Sequence, residues 1–424
     1  MSAAPPVPRR VDLGAVTVLV GHVLDVLADV ADASVQTIVT SPPYWGLRDY
    51  GCAPIDWPAV EYRPIWYLPP VRVEAMRCAL GLEPDVASFI AHMVLVFRGL
   101  RRVLRDDGTC WVNLGSSYAT GTNAPRGASV ERDGQDKPAG WTNRCQDTRR
   151  SPEGLAAKQF VHQPSLLALA LQADGWIWRS EVIWQKPSPM PSSVTDRPTV
   201  SHEQVLLFAK SPRYFYDATA IREPDSGQPA GNGLAGRQGG ARNTVVRGGI
   251  GSTEPWQPGA GRNARSVWTI PPAPYRGAHF ATFPPALAER CILAGTSARG
   301  CCAACGAPWR REVEREFVPQ ADVSPERGVR GAAGQKHLDA TNGRDGYQTT
   351  TTGWRPSCGC VGARVVPCAV LDPFGGSGTT GAVAKTLGRT ALLCEAQPEY
   401  LPLIARRVAE APAYQPALDL GGVR

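Results

Sequence analysis

Apolar residues along the chain follow two periods. Val16–Val20 (VTVLV) and Val35–Thr40 (VQTIVT) are short β-branched runs suited to strands, and HVLDVLADV between them spaces its apolar positions helically. From Val86 to Leu104 apolar residues recur three and four apart, and Arg101, Arg102 and Arg105 stand near the end, where cations suit the helix dipole. That stretch predicts a helix, after which Asp106-Asp107-Gly108 predicts a turn into a strand over 109–115 (TCWVNLG). A helix over 163–173, strands over 176–186 and 203–211 around a Pro-rich loop at 187–198, and a short helix over 284–294 follow. From Cys368 to Glu410 the pattern reads strand, glycine loop, helix, strand, helix.

Each end of the chain therefore looks like a fragment of a parallel α/β sheet, and neither fragment is self-sufficient. The fold class expected is α/β: one Rossmann-like sheet assembled from both ends of the sequence, carrying loop-rich insertions. With 44 Gly and 39 Pro in 424 residues, long loops are expected. A polar, aperiodic stretch fills 116–159, and 223–265 combines a glycine-rich backbone with Arg237, Arg242, Arg247, Arg262 and Arg265. The net charge of +7 favours a polyanionic partner without identifying one. No apolar run is long enough to span a membrane, and the opening MSAAPPVPRRVDLG lacks the apolar core of a signal peptide, so a cytoplasmic protein with no membrane partner is expected.

Three motifs carry chemistry. In Asp372-Pro373-Phe374-Gly375-Gly376-Ser377-Gly378-Thr379, between a strand and a helix, the glycines let backbone approach a ligand at a helix amino terminus. Thr379 stands where a phosphate loop has its lysine, which removes the main cation of a nucleoside triphosphate site. One strand later, Glu395 is positioned to take both hydroxyls of a ribose. A nucleoside ligand is expected, the alternative being a tight turn with a solvated glutamate. The second motif, Ser41-Pro42-Pro43-Tyr44-Trp45, ends a strand with a hydroxyl, a rigid carbonyl and two aromatics, which suits a planar amine such as a flipped nucleobase. Alternatively it is a packed strand end with Trp45 in a core. The third is cysteine: among 12, five cluster as Cys301-Cys302-Ala-Ala-Cys305-Gly and Cys358-Gly-Cys360. Cys302, Cys305, Cys358 and Cys360 would hold a tetrahedral structural zinc, although the second pair is closer than usual, and Cys301 is left over.

SPPYW followed by DPFGGSGTT, in that order, resembles the circularly permuted (beta-class) DNA amino-methyltransferases that use S-adenosylmethionine and act on cytosine N4 or adenine N6. The likeness extends through GLRRVLRDDGTCWVNLGSSY, the segment from Trp178 to Pro224 and HFATFPPALAERCILAGT, about two thirds of the chain. It implies catalytic roles for Ser41, Pro42, Pro43 and Tyr44. Cofactor contacts are implied for Asp372, Phe374, Gly375, Gly376, Ser377, Gly378, Thr379 and Glu395, and also for His279, Phe283 and Pro284. The serine of the tetrapeptide is the form usual in cytosine-N4 enzymes, so that base is favoured over adenine, and a catalytically weak DNA-binding relative is the third alternative. Two departures stand out: His22 follows Gly21 where the family has an acid, and Ser116 stands where an Asp is common.

In these terms residues 11–222 form the catalytic half, 223–266 a candidate DNA-recognition segment, 267–299 a cofactor-pocket segment, 300–362 the cysteine insertion and 363–412 the cofactor-binding half. The partner implied is double-stranded DNA, with a restriction endonuclease and the oligomeric state left open. A cytosine-C5 mechanism would need a nucleophilic cysteine. Cys368 is the one beside a proline, but it begins a strand at the wrong end for catalysis and is expected in the core. His202-Glu203, and also Trp184 and Lys186, fall in the family-like segment and are candidates for orienting a base.

Overall fold

The computed structural model describes residues 8–46, 51–119, 155–189, 191–223, 262–273, 283–318 and 346–414. In chain order these form β1 (Arg10–Leu13), β2 (Val16–Val20), α1 (Val23–Leu27), β3 (Val35–Thr40), β4 (Ile55–Trp57), β5 (Val60–Tyr62), β6 (Val71–Val73), β7 (Met76–Cys78), α2 (Val86–Val103) and β8 (Leu104–Leu114). Then come α3 (Gln163–Ala173), β9 (Ile177–Gln185), β10 (His202–Ala209), β11 (Val267–Thr269), α4 (Pro285–Gly295), β12 (Cys301–Cys302), β13 (Arg310–Val318) and β14 (Gly346–Arg355). The last of the described elements are β15 (Val365–Val366), β16 (Ala369–Asp372), α5 (Thr379–Thr386), β17 (Thr390–Glu395) and α6 (Leu401–Glu410).

Nine strands make one sheet in the order β1-β2-β17-β16-β3-β8-β10-β9-β11. The two carboxyl-terminal strands are threaded between β2 and β3: β17 runs parallel to β2, and β16 runs parallel to both β17 and β3. The sheet is thus built from both ends of the chain, as the two fragmentary patterns require. β10 lies antiparallel to β8 and β9.

The period of two sorts side chains to opposite faces. Ile38, Cys110 and Leu371 join a core with Phe89, Met93, Phe97 and Leu100 of α2 and Leu167 and Leu171 of α3. On the other face the neighbouring Thr37 bonds Thr109 and meets the end of α4, where a side chain on Gly295 would come within 2.4 Å of Thr37 Oγ1. Helix α2 begins at Asp85, whose carboxylate accepts from the Ser88 amide at 2.8 Å. The turn expected at Asp106-Asp107-Gly108 is instead a bulge inside β8: Val35 pairs with Leu104 but Thr37 with Thr109, so the extra residues are extruded without ending the strand.

The chain divides into two compact units. The larger holds the sheet and its helices (1–217, 266–309 and 356–424). The smaller combines 218–265 with 310–355; in it β13 and β14 form a nine-pair antiparallel ladder from Arg310↔Arg355 to Val318↔Gly346. No described helix is long and apolar enough to cross a membrane.

Candidate active site

Strands β2, β3, β16 and β17 are parallel, so their carboxyl ends meet at one edge of the sheet, where open α/β folds bind ligands. A cavity of about 260 Å³ opens there. Ser41, Pro42, Pro43 and Tyr44 line one side, and Pro373, Phe374, Gly375, Gly376, Ser377 and Thr379 line another, with Glu395, Phe283 and His22 completing the wall.

The glycine loop needs its glycines for stated reasons. Gly376 and Gly378 adopt φ of +51° and +79°, a region L side chains avoid. A Cβ on Gly375 would lie 3.1 Å from Leu393 Cβ and 3.2 Å from the Cys394 carbonyl oxygen, so the loop hugs β17. Glu395 is fixed by that approach: its Oε2 accepts from the Gly376 amide at 2.7 Å and its Oε1 from the Gln397 amide at 2.9 Å. Burial raises its pKa to about 7 against the pull of these amides.

Three residues expected on the cofactor do not line the cavity. Asp372 is turned into the fold, where its carboxylate accepts from Thr40 Oγ1 and Thr380 Oγ1, each at 2.7 Å, and from the Phe374 amide at 3.1 Å. Burial raises its pKa to about 6, opposed by those three donors. Gly378 caps α5 and packs against Ile404, and Pro284 is the residue at which α4 starts. His279 lies outside the described residues, as does most of the 116–159 insertion and of the Gly/Arg-rich segment. Of the arginines of the candidate DNA-recognition segment, Arg262 and Arg265 both bond Glu223, at 3.0 and 2.8 Å.

The two aromatics of the tetrapeptide part company. Trp45 is buried, with Nε1 donating to the Glu83 carbonyl at 3.0 Å, so for this residue the core reading holds. Tyr44 stays on the cavity wall and is held from behind. Its hydroxyl donates to Glu203 Oε2 at 2.7 Å, and Asn113 Nδ2 donates to the Tyr44 hydroxyl at 3.1 Å and to Glu203 Oε2 at 2.9 Å. The same Asn113 nitrogen lies 3.5 Å from Ser41 Oγ, and Lys186 pairs with the other Glu203 oxygen. At the end of β8 a side chain on Gly115 would sit 2.8 Å from the Tyr44 ring, so glycine gives the ring its seat. The motif context pointed to Glu203 and Lys186. Asn113 was missed, because only the register of β8 against β3 brings it to the tetrapeptide, and that against β10 brings it to Glu203.

Residues 52–81 also went unread. Cys52, Ala53, Ile55, Ala79 and Leu80 line the cavity, held by the three-residue ladders β4–β7 and β5–β6. His22 caps α1, its Nδ1 accepting from the Leu24 amide at 3.3 Å, and its ring packs edge-on against Trp57. Burial lowers its pKa and favours the neutral ring, and an imidazole in either protonation state carries no negative charge to replace that of the acid expected there. Ser116 has a buried hydroxyl, and its successor Ser117 bonds Gln163. Cys368 is in the core, its thiol pushed well above the ordinary range by Cys301 and burial. Away from this edge, the sulfurs of Cys302, Cys305, Cys358 and Cys360 lie within 4.8 Å of one another.

Residues 35–303 and 369–406 match the family described as DNA methylase (N6 and N4). The chain is 38% identical over 290 residues to the Type II methyltransferase M.XycI of Xanthomonas campestris pv. cyanopsidis, covering 68% of this chain and 75% of that protein. To the Type II methyltransferase M.SmaI of Serratia marcescens it is 30% identical over 392 residues, covering 92% and 90%. A solved structure described as PvuII DNA methyltransferase (cytosine-N4-specific) aligns over 92% of this chain and 86% of its own, with 16% identity and a TM-score of 0.46. With the family match spanning both halves of the sheet and more than half of the chain, the protein belongs to the N6/N4 DNA methylase family.

Proposed function

We propose that the protein transfers a methyl group from S-adenosylmethionine to the exocyclic N4 amine of cytosine in double-stranded DNA. The observation that carries this reading is that Ser41–Tyr44 and the glycine loop with Glu395 line one cavity at the carboxyl edge of the sheet. The similarity to Type II methyltransferases supports duplex DNA as the acceptor and a restriction–modification setting.

S-adenosylmethionine supplies an electrophilic methyl on a sulfonium. The donor set suits it: Glu395 for the ribose hydroxyls, close backbone at Gly375 and Gly376, and the apolar surfaces of Phe374 and Phe283. An exocyclic amine is a weak nucleophile because its lone pair is delocalised into the ring. Ser41 Oγ and the Pro42 carbonyl can accept its two hydrogens, drawing the nitrogen toward sp³ geometry and aiming the lone pair at the methyl. Tyr44, braced by Asn113, Glu203 and Gly115, supplies a stacking surface whose orientation is set before the base arrives. The serine at position 41 favours cytosine over adenine.

The test is duplex DNA incubated with the protein and methyl-labelled cofactor, digested and resolved by mass spectrometry. N4-methylcytosine is the expected product. N6-methyladenine alone would overturn the choice of base, and no methylated nucleoside would overturn the activity.

A further inference from the structure

We infer that Cys302, Cys305, Cys358 and Cys360 bind one zinc ion in a closed tetrathiolate site that fastens the strand-start edge of the catalytic sheet. The family match breaks off at residue 303 and resumes at 369, so three of the four cysteines lie outside the matched segments. Their sulfurs nonetheless converge within 4.8 Å of one another, although Cys305 and Cys358 are far apart in sequence. Tetrahedral zinc with Zn–S bonds of about 2.3 Å requires sulfur separations of about 3.8 Å, within reach of that cluster after small side-chain rotations.

The local backbone is that of a metal knuckle. The amides of Ala304 and Cys305 point at the Cys302 sulfur, the Gly306 amide donates to the Cys302 carbonyl at 2.8 Å, and Gly306 takes φ of +71° to make the turn. The Cys302 amide in turn donates to the Ala307 carbonyl at 2.9 Å. Ser357 Oγ donates to the Pro308 carbonyl at 2.6 Å, joining the segment of the second cysteine pair to that of the first. Four thiolates complete a tetrahedral shell and leave no position for a reacting water, which makes the site structural.

Its hydrogen bonds say what it fastens. Gln36, at the start of β3, donates through Nε2 to the Gly306 carbonyl at 3.2 Å and accepts through Oε1 from the amide of Ala369, the first residue of β16. Arg105, at the start of β8, donates to the Cys305 carbonyl, and Cys301 pairs with Val366 just ahead of β16. The knuckle thus bonds the second residues of β3 and β8 directly and reaches the first residue of β16 through Gln36, and the far ends of β3 and β16 carry the tetrapeptide and the glycine loop. A second group, Cys78, Glu83 and His92, is a poorer site: Glu83 already accepts from the Gly81 amide and shares a 2.9 Å hydrogen bond with His92 Nδ1.

The test uses the full-length protein purified without chelator. Elemental analysis should find about one zinc per chain, lost in the Cys358→Ser/Cys360→Ser double variant and kept in Cys78→Ser. Cobalt exchanged into the wild-type protein should give thiolate charge-transfer and tetrahedral d–d absorption bands. Chelation should raise hydrogen exchange at 301–308 and 365–370. Zinc near zero with four freely reactive thiols would overturn the inference, as would iron in place of zinc, or metal lost on Cys78→Ser and kept in the double variant. These readouts do not involve methyl transfer, so they stand or fall apart from the proposed activity.

Discussion

Thr40 Oγ1 donates a 2.7 Å hydrogen bond to Asp372 Oδ1, joining residues 332 positions apart in sequence at the point where β3 and β16 deliver their loops to the cavity. The other Asp372 oxygen accepts from Thr380 at the start of α5. One buried carboxylate therefore sets the tetrapeptide, which begins at Ser41, against the glycine loop.

Asp372→Ala should destabilise the protein by ~3 kcal/mol, because it strands two threonine hydroxyls and the Phe374 amide in a buried site. Asp372→Asn keeps the shape and changes the pH response. With its pKa raised by burial from an ordinary 3.8 to about 6, the native state holds this proton longer than the unfolded chain, so this group's contribution to stability falls as pH rises from about 4 to 6. Melting curves across that range should show a gentler decline in Asp372→Asn than in the wild type. Parallel pH profiles would contradict the assignment.

Glu395 should make cofactor affinity pH-dependent. Burial raises its pKa to about 7, and the ionised form accepts hydroxyl hydrogens that the protonated form accepts less well. Affinity for S-adenosylmethionine should rise from pH 6 to pH 8, with proton release on binding near pH 7 seen by calorimetry in buffers of different ionisation enthalpy. Glu395→Gln should bind more weakly and abolish the proton release. A pH-independent wild type would remove Glu395 from the ribose.

The brace behind Tyr44 separates ring from hydroxyl. Tyr44→Ala should lose a stacking surface worth ~1 to 3 kcal/mol. Tyr44→Phe and Glu203→Gln, which keep the ring and loosen its anchor, should lower kcat more than they raise KM for DNA. Equal effects of the Ala and Phe variants would show that stacking contributes nothing.

Gly115→Ala places a methyl 2.8 Å from Tyr44 Cε2. The ring must tilt away, and methylation should slow by roughly 10- to 100-fold while the melting temperature and cofactor affinity stay near those of the wild type. Unchanged kinetics would mean that the ring seat is immaterial.

Much of this arrangement was readable from the chain. Buried parallel strands are continuous apolar runs, so β2, β3, β16 and β17 stood out, and the glycines around Phe374 announced a loop pressed against backbone. What stayed hidden depends on long-range register or on elements too short to show a period. Strands β4 to β7 have three residues each, less than two repeats of a pleat. Asn113 is one polar residue at the end of an apolar strand, and its role follows only from pairing with Val205, which brings Glu203 alongside. Asp372 heads the most recognisable motif in the sequence, yet its side chain turns inward, where the Thr40 and Thr380 hydroxyls and the Phe374 amide donate to it, and those partners are not visible in the motif. The hairpin of β13 and β14 was lost inside a stretch read only for its cysteines.

The threading of β16 and β17 between β2 and β3 bears on how the protein is made. While a nascent chain leaves the ribosome, β2 and β3 wait with bare edges through the synthesis of more than three hundred residues, because their partners are encoded between Ala369 and Glu395. Bare edges of apolar strands invite pairing with other chains. A chain terminated before residue 369 should therefore aggregate rather than yield a partly active enzyme, and methylating capacity should arrive in the cell all at once, with the last strand.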